Sequence, residues 1–159
     1  MQHLFWLVED KIAGRSGPDK DPWDPMALKA AGIGAVLSVN AGTGCDAAAL
    51  AAAGLRYACT PLTDNIPPQQ GDLALCVAQL PKALAFIHQC EADALPLLIH
   101  CRSGKDRTGV VMAYYLMSNG AAPLHAVSQV RSIRDIAFSA EGWDQFVFDL
   151  LYALQEAAN

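Results

Sequence analysis

The chain has 159 residues, 53% hydrophobic and 17% charged, which suits one folded domain with a buried core and excludes a disordered segment. Its formal net charge of −5 argues against the broad basic surface that coating nucleic acid or anionic membrane requires, while leaving room for one small cationic pocket. Five cysteines (Cys45, Cys59, Cys76, Cys90, Cys101), odd in number and without a CxxC pair, make neither a disulfide framework nor a zinc pattern. The opening MQHLFWLVEDK lacks the pattern of a secretory signal, and no apolar run comes near the roughly 20 residues of a membrane span. The expectation is a reduced, cytoplasmic monomer without membrane insertion, nucleic-acid partner, metal or organic cofactor.

In chain order, HLFWLVE reads as a first strand. KIAGRSGPDKDPWDP, rich in Gly and Pro, reads as a loop. Residues 25–31 read as a short helix ending at Gly32, and the β-branched run AVLSV (35–39) as a strand. After the turn NAGTGCD, Asp46 is placed to cap an Ala-rich helix closed by Gly54, and LRYACT is the next strand. PLTDNIPPQQGD is a loop with three prolines. A helix is predicted over 71–92, capped by Asp72 and kinked or divided at Pro81.

LPLLIH shows no alternation and reads as a strand buried on both faces. Helices follow from Thr108 to Asn119, stopped by Gly120, and from Pro123 through Arg134. In the last helix Trp143, Phe146, Val147, Leu150, Leu151 and Leu154 form a core stripe. No repeat or linker divides the chain, so residues 1–159 read as a single domain. Alternating strands and helices predict an α/β fold, a central mostly parallel sheet flanked by helices, with a ligand site beyond the carboxyl ends of the strands.

The segment LLIHCRSGKDRTGV (97–110) lies at such a place and concentrates chemistry. A thiol attacks only as thiolate, and a helix N-terminus with cations beside Cys101 favours that anion. Gly104 permits a tight strand-to-helix turn, and the amides of residues 102–106 (Arg102, Ser103, Gly104, Lys105, Asp106) converge as an anion cradle. Arg107 offers a planar fork for two phosphoryl oxygens, and Thr108 can donate to the sulfur. A nucleophilic sulfur at the floor of a phosphate-shaped cradle is the apparatus of phosphoryl transfer through a cysteinyl-phosphate. The alternative, a free Cys in a basic surface loop, does not explain why strand, loop and helix agree at every position.

HCRSGKDRTG matches the HCxxGxxR[ST]G signature of the cysteine-dependent protein tyrosine phosphatases, and the short chain resembles their small atypical dual-specificity members. The likeness extends to W-x5-IAG-x3-P (from Trp6 to Pro18), to LKAAGIGAVLSV and to VRSIR. It implies a general acid from an upstream loop: Asp64, in the D-x-x-P-P of PLTDNIPP, would protonate the leaving group and then activate water. It also implies that His100 hydrogen-bonds the loop and tunes the thiol. Arg131 and Arg134 share a helix face, either bordering the pocket or solvated. Cys59 is either a core thiol or one able to reach Cys101 under oxidation.

The chain departs from its relatives in having Asp135 where Pro usually follows VRSIR. The residue that positions the hydrolytic water is left open among Ser139, Glu141 and Gln145. Arg102 and Lys105 add cations to the loop, and GKDRTG resembles phosphoinositide phosphatases and some bacterial lipid-active or triple-specificity enzymes. The first expectation is therefore a phosphatase of phosphotyrosine, and of phosphoserine and phosphothreonine, proteins. The second is a phosphoinositide or inositol-phosphate phosphatase, and a third is a phosphate-binding module without turnover. Arsenate or sulfur chemistry would need a resolving-cysteine pattern that is not recognisable here.

Overall fold

The structure, a computed structural model, describes residues 1–158. Its strands are β1 (Phe5–Val8), β2 (Ile12–Ser16), β3 (Ala35–Ser38), β4 (Arg56–Cys59) and β5 (Leu97–Cys101). They form one sheet in the order β1-β2-β5-β3-β4, in which only the β1–β2 pair is antiparallel. Strand β5 is central, with Ser16 of β2 paired to Cys101 on one side and Ser38 of β3 to His100 on the other. The expected α/β architecture, a mostly parallel sheet flanked by helices, is the one observed.

Side chains alternate across the sheet, so the two faces carry different cores. Leu97, Ile99 and Cys101 point into the larger core with α3 (Asp72–Ala92), α4 (Arg107–Ser118), α5 (Pro123–Ile133) and α6 (Trp143–Ala157). Leu98 and Val36 face the smaller one with Leu28 of α1 (Pro25–Ala30) and Leu50 of α2 (Ala47–Ala52). The stripe of α6 is buried throughout, and Asp46 caps α2 by accepting from Ala49 N–H at 3.1 Å.

Four local expectations are corrected. IAGRS is not a loop but β2, buried along its whole length. Its Gly14 is a packing requirement rather than a breaker, because a Cβ there would enter the Phe5 ring and the Met112 methyl. Helix α3 is not divided at Pro81, since Cys76, Leu80, Ala83, Ile87 and Cys90 seat both halves in the same core. By length and composition α3 could also cross a membrane, against the expectation that no stretch comes close. Finally, α3 begins behind Gly71 with no side-chain cap, so Asp72 has a different task, described below.

Candidate active site

Strand β5 ends at the sheet's carboxyl edge with Cys101. That residue is 2% exposed and followed by the turn 102–106, after which α4 begins at Arg107. The fully buried Thr108 donates its hydroxyl to Cys101 Sγ at 3.2 Å, as the sequence led one to expect. Gly104 has φ +66, and its Cα lies so close to β2 that a Cβ would sit 2.5 Å from the carbonyl carbon and oxygen of Arg15. Gly17 N–H also bonds the Arg102 carbonyl at 3.0 Å, so the loop rests on the end of β2. Among the described residues no carboxylate is ion-paired with Arg107.

The added cations of the loop carry their own counter-ions. Arg102 is 3.5 Å from Asp19, and Lys105 is 2.9 Å from Asp106 while also donating to Ser139 Oγ at 3.1 Å. Asp106 is buried, and its Oδ1 has no partner, so Lys105 is what balances that carboxylate. Ser103 Oγ lies 3.4 Å from the ammonium of Lys20, on the loop after β2.

His100 lies on the opposite face of β5 from Cys101, fully buried and edge-on to Trp23. Burial lowers its pKa to about 4, so the ring is neutral at ordinary pH. The Cys101 carbonyl can only accept, so Nδ1–H donates to it, at 3.0 Å. Nε2 then accepts from the Ser38 hydroxyl at 2.6 Å, and Ser38 takes the Tyr57 hydroxyl at 2.7 Å. Cys45 Sγ lies 3.3 Å from the same Nε2. His100 thus steadies the backbone under the thiol rather than touching the sulfur.

Asp64 is exposed on a loop that crosses the carboxyl edge of the sheet, where Thr60 and Leu62 N–H groups bond the Ser38 and Val39 carbonyls. Asp72 organises this loop: its Oδ2 accepts from Gln69 N–H at 2.6 Å and from Asn65 Nδ2 at 3.0 Å. Burial pushes the Asp72 pKa up, but these bonds outweigh it and hold the carboxyl below its ordinary value. Trp143 Nε1–H donates to the Asn65 carbonyl at 3.0 Å, and Gly142 lies so close that a Cβ would be 3.0 Å from Pro67 and Pro68. The acid loop is therefore docked on the segment before α6.

The sequence left Arg134 unassigned. It ends α5 and donates to both the Ser103 carbonyl at 2.7 Å and the Gly104 carbonyl at 3.2 Å, whereas Arg131 lies over the Phe138 ring. Of the three candidates for the water, only Ser139 reaches the loop; Gln145 bonds Asp149, and Glu141 is exposed. Cys59 does not approach Cys101: β3 lies between their strands, and Cys59 is on the sheet face of Tyr57, opposite Cys101. Burial raises the pKa of Cys59, as it does for Cys45, Cys76 and Cys90.

The family model described as "PTP-SAK: Swiss Army Knife protein, DSP-PTPase phosphatase domain" matches residues 1–141. Among characterised proteins, the chain is 28% identical over 134 residues to dual specificity protein phosphatase 22 of Xenopus tropicalis, covering 84% of this chain and 59% of that protein. It is 30% identical over 122 residues to dual specificity protein phosphatase 12 of Mus musculus, covering 76% of this chain and 34% of that one. The chain thus spans about a third to three fifths of the length of these relatives. The crystal structure of Tk-PTP in the active form superposes with a TM-score of 0.75 at 21% identity, covering 95% of this chain and 97% of that one. PTPMT1 in complex with PI(5)P does so at 0.75 and 13%, covering 99% and 100%. These two likenesses concern the fold. With the family match running over residues 1–141, the chain belongs to the DSP-PTPase phosphatase domains of the cysteine-dependent tyrosine phosphatase superfamily.

Proposed function

We propose that this domain hydrolyses phosphomonoesters on phosphotyrosine, phosphoserine and phosphothreonine residues of proteins through a cysteinyl-phosphate. The carrying observation is the Thr108 hydroxyl 3.2 Å from Cys101 Sγ, at the base of a loop whose Arg107 is unpaired among the described residues. Cys101 thiolate attacks phosphorus, and the P–O bond to the leaving group breaks as Asp64 gives that oxygen its proton. Asp64, now a carboxylate, takes a proton from water, whose oxygen attacks phosphorus and expels the thiolate, releasing phosphate. Loop amides and Arg107 stabilise the equatorial oxygens throughout. The reading takes the protein as a cytoplasmic monomer, in keeping with five free thiols.

A second reading is hydrolysis of a phosphoinositide. The PTPMT1 likeness and the cations Arg102 and Lys105 support it, and the pairing of those cations with Asp19 and Asp106 weighs against it. The test is phosphate release from phosphotyrosine and phosphothreonine peptides, phosphoinositides and soluble inositol phosphates, with Cys101→Ser as the blank. Preference for peptides supports the first reading and preference for inositides the second. No release from anything leaves a binding module.

A further inference from the structure

Segments of unlike chemistry from the two faces of the sheet meet at the loop 102–106. On the face of the smaller core runs the loop after β2, which enters α1; on the other face lie the acid loop and the segment between α5 and α6. On the first side Arg102 is paired with Asp19. Asp21 uses its Oδ2 to accept from the Ser16 hydroxyl, and its backbone carbonyl accepts from Arg15. Asp21 feels the charge of Lys20, yet no carboxylate is ion-paired with Lys20 among the described residues. Lys20 is thus the cation left without a counter-ion at the rim, its ammonium 3.4 Å from Ser103 Oγ. Its backbone is fixed: Lys20 and Asp21 N–H groups both bond the Gly17 carbonyl, and Gly17 bonds Arg102.

On the second side stand two isoleucines. Ile66 is 62% exposed, two residues beyond Asp64, and Ile136 is 44% exposed, two beyond Arg134. Single exposed apolar residues are ordinary. These two differ because both lie on pinned segments, and the one that carries Ile136 contacts the Asp64 loop through Gly142 and the loop 102–106 through Arg134 and Ser139. Around Ile66, Asn65 is held by Trp143 and Asp72, and Pro67 and Pro68 lie against Gly142. Ile136 projects from a turn closed by Ala137 N–H on the Arg134 carbonyl, with Ala137 and Phe138 buried behind it. The fold holds both side chains in water where burying them would have stabilised it.

We propose that Lys20 on one side and Ile66 with Ile136 on the other form a two-sided recognition subsite. A phosphopeptide crosses the pocket with an acidic side chain beside Lys20 and a bulky apolar one over the isoleucines. The inference rests on the phosphoprotein reading and deepens it. An exposed lysine opposite a carboxylate gives a preference of about three- to fivefold, and partial cover of an apolar side chain about three- to tenfold.

The test is kcat/KM on phosphotyrosine peptides carrying Asp or Lys on one flank and Leu or Ser on the other, made in both chain directions, with 4-nitrophenyl phosphate alongside. Preferences are read as ratios within each protein, so a change in general turnover or folded fraction cancels. Wild type is expected to favour Asp over Lys and Leu over Ser in one direction. Lys20→Glu should invert the first ratio and leave the second, whereas Ile66→Ser should flatten the second and leave the first. Peptide hydrolysis with ratios unmoved by either substitution overturns the subsite alone. Turnover of 4-nitrophenyl phosphate and phosphoinositide vesicles with no peptide cleaved overturns the phosphoprotein reading and the subsite with it.

Discussion

Arg134 Nη2 donates to the Ser103 carbonyl at 2.7 Å, joining the end of α5 to the phosphate loop across 31 residues of sequence. With Nε on the Gly104 carbonyl, one planar guanidinium clamps two successive peptide units, so their N–H groups are turned away from Arg134. Arg134→Met is expected to lower kcat about tenfold or more, since the carbonyls lose their partner and the cradle its order. Arg134→Lys should recover little, because a point charge cannot serve both carbonyls in that geometry. Steady-state turnover of 4-nitrophenyl phosphate by both variants checks this; full rescue by Lys would reduce the clamp to a charge effect.

Gly104 is the position where the loop meets β2. Gly104→Ala would place a Cβ 2.5 Å from the Arg15 carbonyl and 2.8 Å from Ser16 N, at a φ of +66 that alanine resists. Backbone on both sides leaves no flexible side chain to give way. Loss of about 2 kcal/mol or more of stability is expected, together with loss of turnover. Urea unfolding and kcat measured on one preparation decide the point, and a variant with wild-type values for both would show that the loop has room to shift.

His100 links pH to stability. Burial sets its pKa at about 4, against an ordinary 6.5 that the unfolded chain retains. The unfolded state therefore takes up a proton near pH 6.5 and the folded state only near 4. Stability from this group is fully present above about pH 6.5 and declines as pH falls toward 4, by about 3 kcal/mol at most. Unfolding free energies of wild type and His100→Asn across pH 7 to 4 should converge toward the acid end. Parallel curves would remove His100 from the acid sensitivity.

Asp64→Asn removes the proposed proton donor while leaving the loop's anchors, Asn65, Asp72 and Trp143, in place. The first step should slow by about 10²–10⁴ for alkyl and phenyl leaving groups, and far less for nitrophenolate, which departs without help. A plot of rate against leaving-group pKa should steepen in the variant. An unchanged slope would assign the acid elsewhere.

Much of the site was legible because its chemistry is written in consecutive residues. Cys101, Gly104, Arg107 and Thr108 fall within one strand-to-helix turn, so their spacing alone brings the sulfur and the Thr108 hydroxyl together. The α6 stripe and the Asp46 cap were legible for the same reason: each is decided within one or two helical turns. Gly14 misled the reading of β2 because its reason, the Phe5 ring and the Met112 methyl, lies on other elements.

Local periodicity and turn chemistry carry the helices, the strand-to-helix turn at Cys101 and, among the described residues, every strand but β2. What surrounds that turn follows from packing. Strand order put β3 between Cys59 and Cys101 and alternation put them on opposite faces. Trp143 of α6 docks on the Asp64 loop through Asn65, and the end of α5 became the clamp on Ser103. Each is a contact between segments far apart in the chain, and it depends on register and on which face an element presents, which no short run of residues specifies; Asp72 organises the loop locally, through Gln69 N–H and Asn65.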